Sequence, residues 1–190
     1  MAKVTWKGST LLAPVPPVLV SCRDENADKD NLITVAWTGT LNSDPPKTYI
    51  SVRPERYSHD IIKQSGEFVI NLPSSHIIRS IDFCGCRSGR DMDKFAECSL
   101  TREKASALSC PMVAESPVSI ECRVCDIIEL GSHDMFVADI VAVNIDEQYI
   151  DEKGKFHIEK CALAAYAHGV YFALGKKIGS FGYSVKKKRR

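Results

Sequence analysis

The stretch Ser51–Asp60, SVRPERYSHD, places two arginines, two serines and a proline between a run with strand alternation and a run with helical spacing. Those groups suit an anion. A strand would carry Tyr49, Ser51 and Arg53 on one face, with Thr48, Ile50 and Val52 on the other. Pro54 would end the strand, and the next helix would begin near Ser58, offering free N–H groups and the positive end of its dipole. Arg53 supplies a planar donor fork, while the Ser51 and Ser58 hydroxyls supply directional hydrogen bonds, so the set describes a phosphate cradle. A plainer arrangement uses the same residues: Ser58 caps the helix, Arg53 pairs with a carboxylate, and Arg56 is solvated. Asp60, in the first turn, already complements the dipole and counts against a second anion there.

Cysteine and histidine are the other chemically capable residues. Cys122 and Cys125 form a CxxC, but VSIECRVCDIIEL reads as a strand, where side chains three apart point to opposite faces. A regular strand therefore does not aim both sulfurs at one metal. Cys84 and Cys86 share FCGCRSG with no second ligand pair at zinc spacing, so no metal site is expected. His168, in AYAHGVYF, invites a proton relay but reads better as a satisfied structural histidine. His59 could neighbour the phosphate as a first helical residue; His133 and His157 receive no role.

The elements that position these groups read as mainly β with short helices. VPPVLVSCR, LITVAWTG and KTYISVR are three strands, with TLNSDPP as the connection between the last two. HDIIKQ is a short helix closed by Gly66, with Ile61 and Ile62 inward. EFVINLP is a further strand, and SSHIIRSIDFC has helical spacing entered through serine. Gly85 to about Ser99 is irregular. SPVSIECRVCDIIEL and DMFVADIVAVNID make a long hairpin through Gly-Ser-His. Five or six strands without repeated βαβ units favour a predominantly antiparallel barrel.

The 190-residue chain, 44% apolar, suits one domain over residues 1–185 followed by a basic tail at 186–190. Lys and Arg total 25 against 24 Asp and Glu, and without the five terminal cations the body is acidic, so no nucleic-acid partner is expected. No apolar run is long enough for a membrane span, and MAKVTWKGST lacks a signal-peptide core, so the expectation is a cytoplasmic protein with reduced thiols.

The run NLITVAWTGTLNSDPPKTYISVRPERYSHDIIKQSGEFVINLP, with CGCRSGRDMDKF, ELGSHDMFVADI and YAHGVYFALGKKIGSFGYS in the same order, resembles the flavin reductase-like family, the FMN-binding split-barrel group that includes flavoredoxins. The resemblance implies a split β-barrel of Greek-key topology and a homodimer with FMN near the interface. It implies that Ser51, Arg53 and Ser58 hold the FMN phosphate and that Thr34, Ala36, Trp37 and Thr38 lie along the isoalloxazine. The small Thr38-Gly39 pair would let backbone amides approach the flavin edge; Trp37 as a core or interface aromatic is the alternative. Ser88, Gly89 and Lys94 match the remaining cofactor motif, and Lys94 near the flavin N1 and O2 would stabilise charge that develops on reduction. Arg87 and Arg90 are either solvated or phosphate-adjacent.

Because the flavin carries the chemistry, no catalytic triad is expected. With no GxGxxG after a strand, NADH or NADPH would bind transiently over the flavin. The implied activity is an NAD(P)H-dependent reductase passing electrons to flavin, a ferric chelate or a similar acceptor. The alternative is a flavoredoxin-like carrier between protein partners that oxidises no nicotinamide.

Overall fold

The computed structural model describes residues 1–185; the basic segment 186–190 lies outside the described residues. Strands β1 (Val18–Asp24) and β2 (Lys29–Val35) form a hairpin. Their alternation sends Val18, Val20, Cys22, Ile33 and Val35 to one side, and Leu19 and Leu32 to the other. β2 stops at Val35, short of the expected Gly39. After two residues β3 (Thr38–Ser43) pairs with β4 (Pro46–Val52), so most of TLNSDPP is strand rather than connection. Its residues run from half-buried to exposed without alternating, which leaves hydropathy no pattern to read. The faces of β4 are as expected, with Thr48, Ile50 and Val52 buried and Tyr49 and Ser51 half-buried.

Helix α1 (Tyr57–Ser65) buries Ile61 and Ile62 and ends at Gly66, whose φ of +69° favours glycine and whose N–H donates to the Ile62 carbonyl at 2.9 Å. β5 (Glu67–Asn71) follows. A one-turn 3-10 segment at Ser75–Ile77, capped by Ser74, leads into α2 (Ile78–Cys86). The region expected to be irregular from Gly85 is therefore partly ordered: α2 continues to Cys86, and Asp93 caps a single-turn helix, α3 (Lys94–Glu97). Short strands β6 (Arg102–Glu103) and β7 (Met112–Val113) pair together. β8 (Val118–Glu129) and β9 (Asp134–Ile145) form the long hairpin, and β10 (Ala164–Ala167) with β11 (Val170–Ala173) a short one. That second turn holds His168 and Gly169 at φ +49° and +88°, the pairing a two-residue hairpin turn requires.

Seven strands make one antiparallel sheet in the order β2-β1-β5-β8-β9-β4-β3. Ala36 and Trp37 run β2 at one edge of that order directly into β3 at the other, and the Ser51 N–H on β4 donates to the Trp37 carbonyl at 2.8 Å, extending the β3–β4 ladder by one pair. The inner faces of six strands and the apolar side of α1 then share one core around Phe68 and Phe136. Each such ring, fully buried, contributes about 1.5–3 kcal/mol. A second apolar layer packs α2 and α3 through Ile81, Cys84 and Phe95 onto Leu19 and Leu32. The barrel orders the ends of β2 and β4, and the outer layer orders the segment between α2 and α3. In β8 Cys122 is buried and Cys125 exposed, the latter at an irregularity of the β8–β9 ladder between Val124 and Asp126. Among the described residues no helix is long and apolar enough to cross a membrane.

Candidate functional site

Three depressions run into one another along these ordered edges. The first, about 320 Å³, lies between the start of α1 and the segment joining α2 to α3, and is lined by Asn31, Arg56, Ser58, Arg87, Ser88, Gly89, Arg90 and Lys94. The second, about 140 Å³, follows the end of β2 through Thr34, Ala36 and Trp37 and faces Ser51, Arg53, Arg56 and His133. The third, about 640 Å³, is mostly apolar, with Trp37, Thr38, Leu12, Leu41, Tyr49, Leu130 and Met135 around Ser51 and His133. Arg56 and Ile33 join the first to the second, while Ala36, Trp37, Ser51 and His133 join the second to the third.

The sequence-derived cradle is divided across this surface. Ser51 and Arg53 do lie together, whereas Ser58 faces the first depression with Ser88, Gly89 and Lys94. Nor is Ser58 a cap. The helix begins two residues earlier, at Tyr57, with Arg56 at the cap position and no side chain capping it. Ser58 is buried, and its Oγ accepts a hydrogen bond from Asn31 Nδ2 at 2.7 Å. A buried amide donor beneath the helix needs that acceptor, so the first-turn amides are left without a side-chain partner. Arg53 pairs with Glu55 at 3.5 Å, but both are exposed, so the pair holds the guanidinium weakly.

Several expected ligand groups are engaged in the fold. Thr34 Oγ1 donates to the Ile81 carbonyl, tying β2 to α2, and Thr38 Oγ1 donates to the Tyr49 carbonyl at 2.6 Å. The glycine at 39 is accounted for by the Tyr49 ring, which would sit 3.3 Å from a Cβ there. Lys94 is 3% exposed and donates to the carbonyls of Leu32 at 2.7 Å and Cys84 at 2.9 Å, leaving one ammonium hydrogen for the depression. Burial pushes its pKa down. Gly89 lies against Asn31: an added Cβ would stand 1.8 Å from Asn31 Oδ1. Its carbonyl accepts from Lys29 Nζ at 2.6 Å.

Asn31 is a residue that sequence reasoning missed. Its Oδ1 is buried with no hydrogen-bond partner among the described residues, a cost unless a ligand donor meets it. A polar amide with low strand propensity inside DNLITV was the available signal. Arg56 and His133 were also given no part, yet they line the junctions between depressions. Burial, and then the Arg53 charge, hold the His133 pKa below its ordinary value. His59 stands away from the cationic depression: it is buried, with Nε2 2.8 Å from Asp134 Oδ2 and Nδ1 3.0 Å from Asp60 Oδ1. His168 sits exposed at its hairpin turn. It lines a recess of about 350 Å³ with Trp37, Leu12 and Tyr166. The residues that gather are thus cations and short hydroxyls at one end and uncharged, partly aromatic groups at the other, an arrangement suited to a phosphorylated ring compound.

Residues 11–175 match the family described as "Flavin reductase like domain". The chain belongs to the flavin reductase-like family. Flavoredoxin of Desulfovibrio vulgaris (Miyazaki F) is 30% identical and superposes with a TM-score of 0.90 over 97% of this chain and 100% of that one. Flavoredoxin from Methanosarcina acetivorans is 26% identical, with a TM-score of 0.87 over 98% and 100%. An uncharacterized protein of Pyrococcus abyssi is 28% identical across 90% of this chain and 97% of its own length. A protein with a split barrel domain from Shewanella frigidimarina NCIMB 400, 22% identical with a TM-score of 0.81 over 92% and 88%, shares the fold. The mainly β split barrel expected of this family member is the architecture observed.

Proposed function

We propose that this flavin reductase-like protein binds FMN and works as an NAD(P)H-dependent reductase, passing electrons to flavin, a ferric chelate or a similar acceptor. The observation that carries the reading is the cationic depression around the uncapped start of α1, opening directly onto the uncharged end of β2. The donor set fits FMN. Arg56, Ser58, Ser88, Arg87 and Arg90, with the first-turn amides, would hold the phosphate. The orphaned Asn31 Oδ1 would accept from a ribityl hydroxyl, and Lys94 would keep the surrounding backbone in place while offering its last hydrogen. Ser51 and Arg53, expected at the phosphate, would instead flank the ring end together with Thr34, Ala36, Trp37 and Thr38.

Hydride and electron transfer would be supplied by the bound flavin. The chain's part is to orient the ring, exclude water on its barrel side and admit a donor on the other. Leu12, Leu41, Leu130 and Met135 give the mouth an apolar wall. His133, with its pKa lowered, would present a neutral ring there at neutral pH. Leu12, Leu41, Leu130, Phe172 and Leu174 are exposed, and a homodimer would cover them. Residues 1–185 are read as a single domain, and eight free cysteines accord with a reducing cytoplasm.

The test is an absorbance spectrum followed by anaerobic addition of each nicotinamide to protein loaded with FMN. A flavin spectrum that bleaches with NADH or NADPH is expected; no bleaching with either sinks the reductase reading. The likeness to flavoredoxin over essentially the full chain supports a second reading, an electron carrier between proteins. Reduction by a ferredoxin-type partner but by neither nicotinamide selects it.

A further inference from the structure

Cys84 and Cys98 form the one thiol–thiol hydrogen-bond contact among the described residues, with Sγ atoms 3.8 Å apart and the two residues fourteen positions apart in the chain. Cys84, near the end of α2, is buried and lines the cationic depression; Cys98, just after α3, is half-buried. Both are fastened to the same lysine. The Cys84 carbonyl accepts from Lys94 Nζ at 2.9 Å, and the Cys98 N–H donates to the Lys94 carbonyl at 3.1 Å. The segment between the two thiols carries Arg87, Ser88, Gly89 and Arg90, which form one wall of that depression. Arg87 and Arg90 are exposed; the Arg90 guanidinium donates to the Glu55 carbonyl at 3.3 Å and lies over the Tyr57 ring, and the Arg90 N–H donates to Ser88 Oγ at 3.2 Å.

We propose that Cys84 and Cys98 are a redox-reversible pair whose disulfide closes this segment into a covalent loop and stiffens the cationic wall. The sulfurs are already in contact, so a change in side-chain torsions is the motion needed to reach bonding distance. The half-buried Cys98 is the thiol a small oxidant reaches first, with Cys84 resolving the product. With a peroxide as oxidant, the Cys98 sulfur gains one oxygen and releases one water. Attack by the Cys84 sulfur then forms the S–S bond and releases the second, so two thiols and one hydrogen peroxide give one disulfide and two waters. Closing a loop removes conformations from the open segment, which lowers its rate of local opening. The further consequence, slower release of FMN from the oxidised protein, rests on the cofactor reading proposed above.

The experiment uses the full chain, reduced, then treated with hydrogen peroxide or diamide, alkylated, and mapped by mass spectrometry without reduction. A Cys84–Cys98 cross-link that dithiothreitol reverses is expected, and trypsin cleavage at Arg87 and Arg90 should slow roughly tenfold on oxidation. Cys98→Ser should lose both effects. Oxidation confined to the exposed Cys86 and Cys125, or a cross-link that leaves cleavage at Arg87 and Arg90 unchanged, overturns the proposal. Neither readout requires FMN, so a protein that takes up no flavin defeats the cofactor reading alone; equal FMN release from oxidised and reduced holoprotein removes the link between the two.

Discussion

Replacing Gly89 by alanine tests whether the cationic wall is built by close backbone approach to Asn31. The new Cβ would stand 1.8 Å from Asn31 Oδ1 and 2.7 Å from its Cγ, so either the amide rotates or the loop lifts. Rotation breaks the Asn31 Nδ2–Ser58 Oγ hydrogen bond of 2.7 Å, a loss of about 1 kcal/mol. Overpacking a filled site adds about 1–3 kcal/mol, so the variant should lose about 2–4 kcal/mol of stability. Both escapes displace groups assigned to the phosphate, so FMN affinity should fall by at least about tenfold, the equivalent of 1.4 kcal/mol. Gly85→Ala is the internal control. Its Cβ would meet Thr34 Cβ at 3.4 Å, an ordinary contact, and within α2 alanine should gain about 0.5–1 kcal/mol. Urea unfolding of the apoprotein and an FMN fluorescence-quenching titration measure the two effects separately. Should Gly89→Ala unfold within about 0.5 kcal/mol of the parent and bind FMN equally well, the close-approach argument is wrong.

Lys94→Met removes the donor to the Leu32 and Cys84 carbonyls, and should lower apoprotein stability by about 1–3 kcal/mol in chemical denaturation. A lysine that only tuned the flavin would leave apoprotein stability unchanged. By NMR, His133 should titrate below 6.5, and Arg53→Ala should move the midpoint upward, because the Arg53 charge is one of its two depressing influences. With the folded pKa below the unfolded one, the unfolded chain binds more protons between the two values. The His133 contribution to stability is therefore intact above 6.5 and is lost as pH falls toward the folded pKa. Ellman's reagent at pH 8 should find Cys86 and Cys125 fast, while Cys22 and Cys122, buried and with thiol pKa values pushed up to about 12, stay silent until unfolding.

The strands that bury one face were legible because period-two alternation survives in the sequence: Thr48, Ile50 and Val52 inward, Tyr49 and Ser51 outward. Gly66 was equally legible, since few residues but glycine fit a left-handed helix end. β3 was not, because an edge strand without a buried face has no alternation and is held by backbone pairing with β4. At the site, residue types pointed to an anion, yet not to which groups share a cavity. Ser51, Arg53 and Ser58 stand close in sequence and divide between two depressions, because the strand ends and the helix turns between them. Asn31 and His133 reach the same surface from β2 and from the turn before β9, a meeting set by sheet curvature.

The ladder that joins β4 to β9 pairs Ser51 with Met135 and Val52 with Asp134, partners far apart along the chain. Such non-local pairings carry their loop-closure cost early and return stabilisation late, which makes barrels of this kind slow to fold. His133 reaches the Ser51–Arg53 edge only once that ladder has zipped. A cofactor seated there therefore meets a nearly finished barrel: it can deepen the native well by mass action, but it cannot template the path into it.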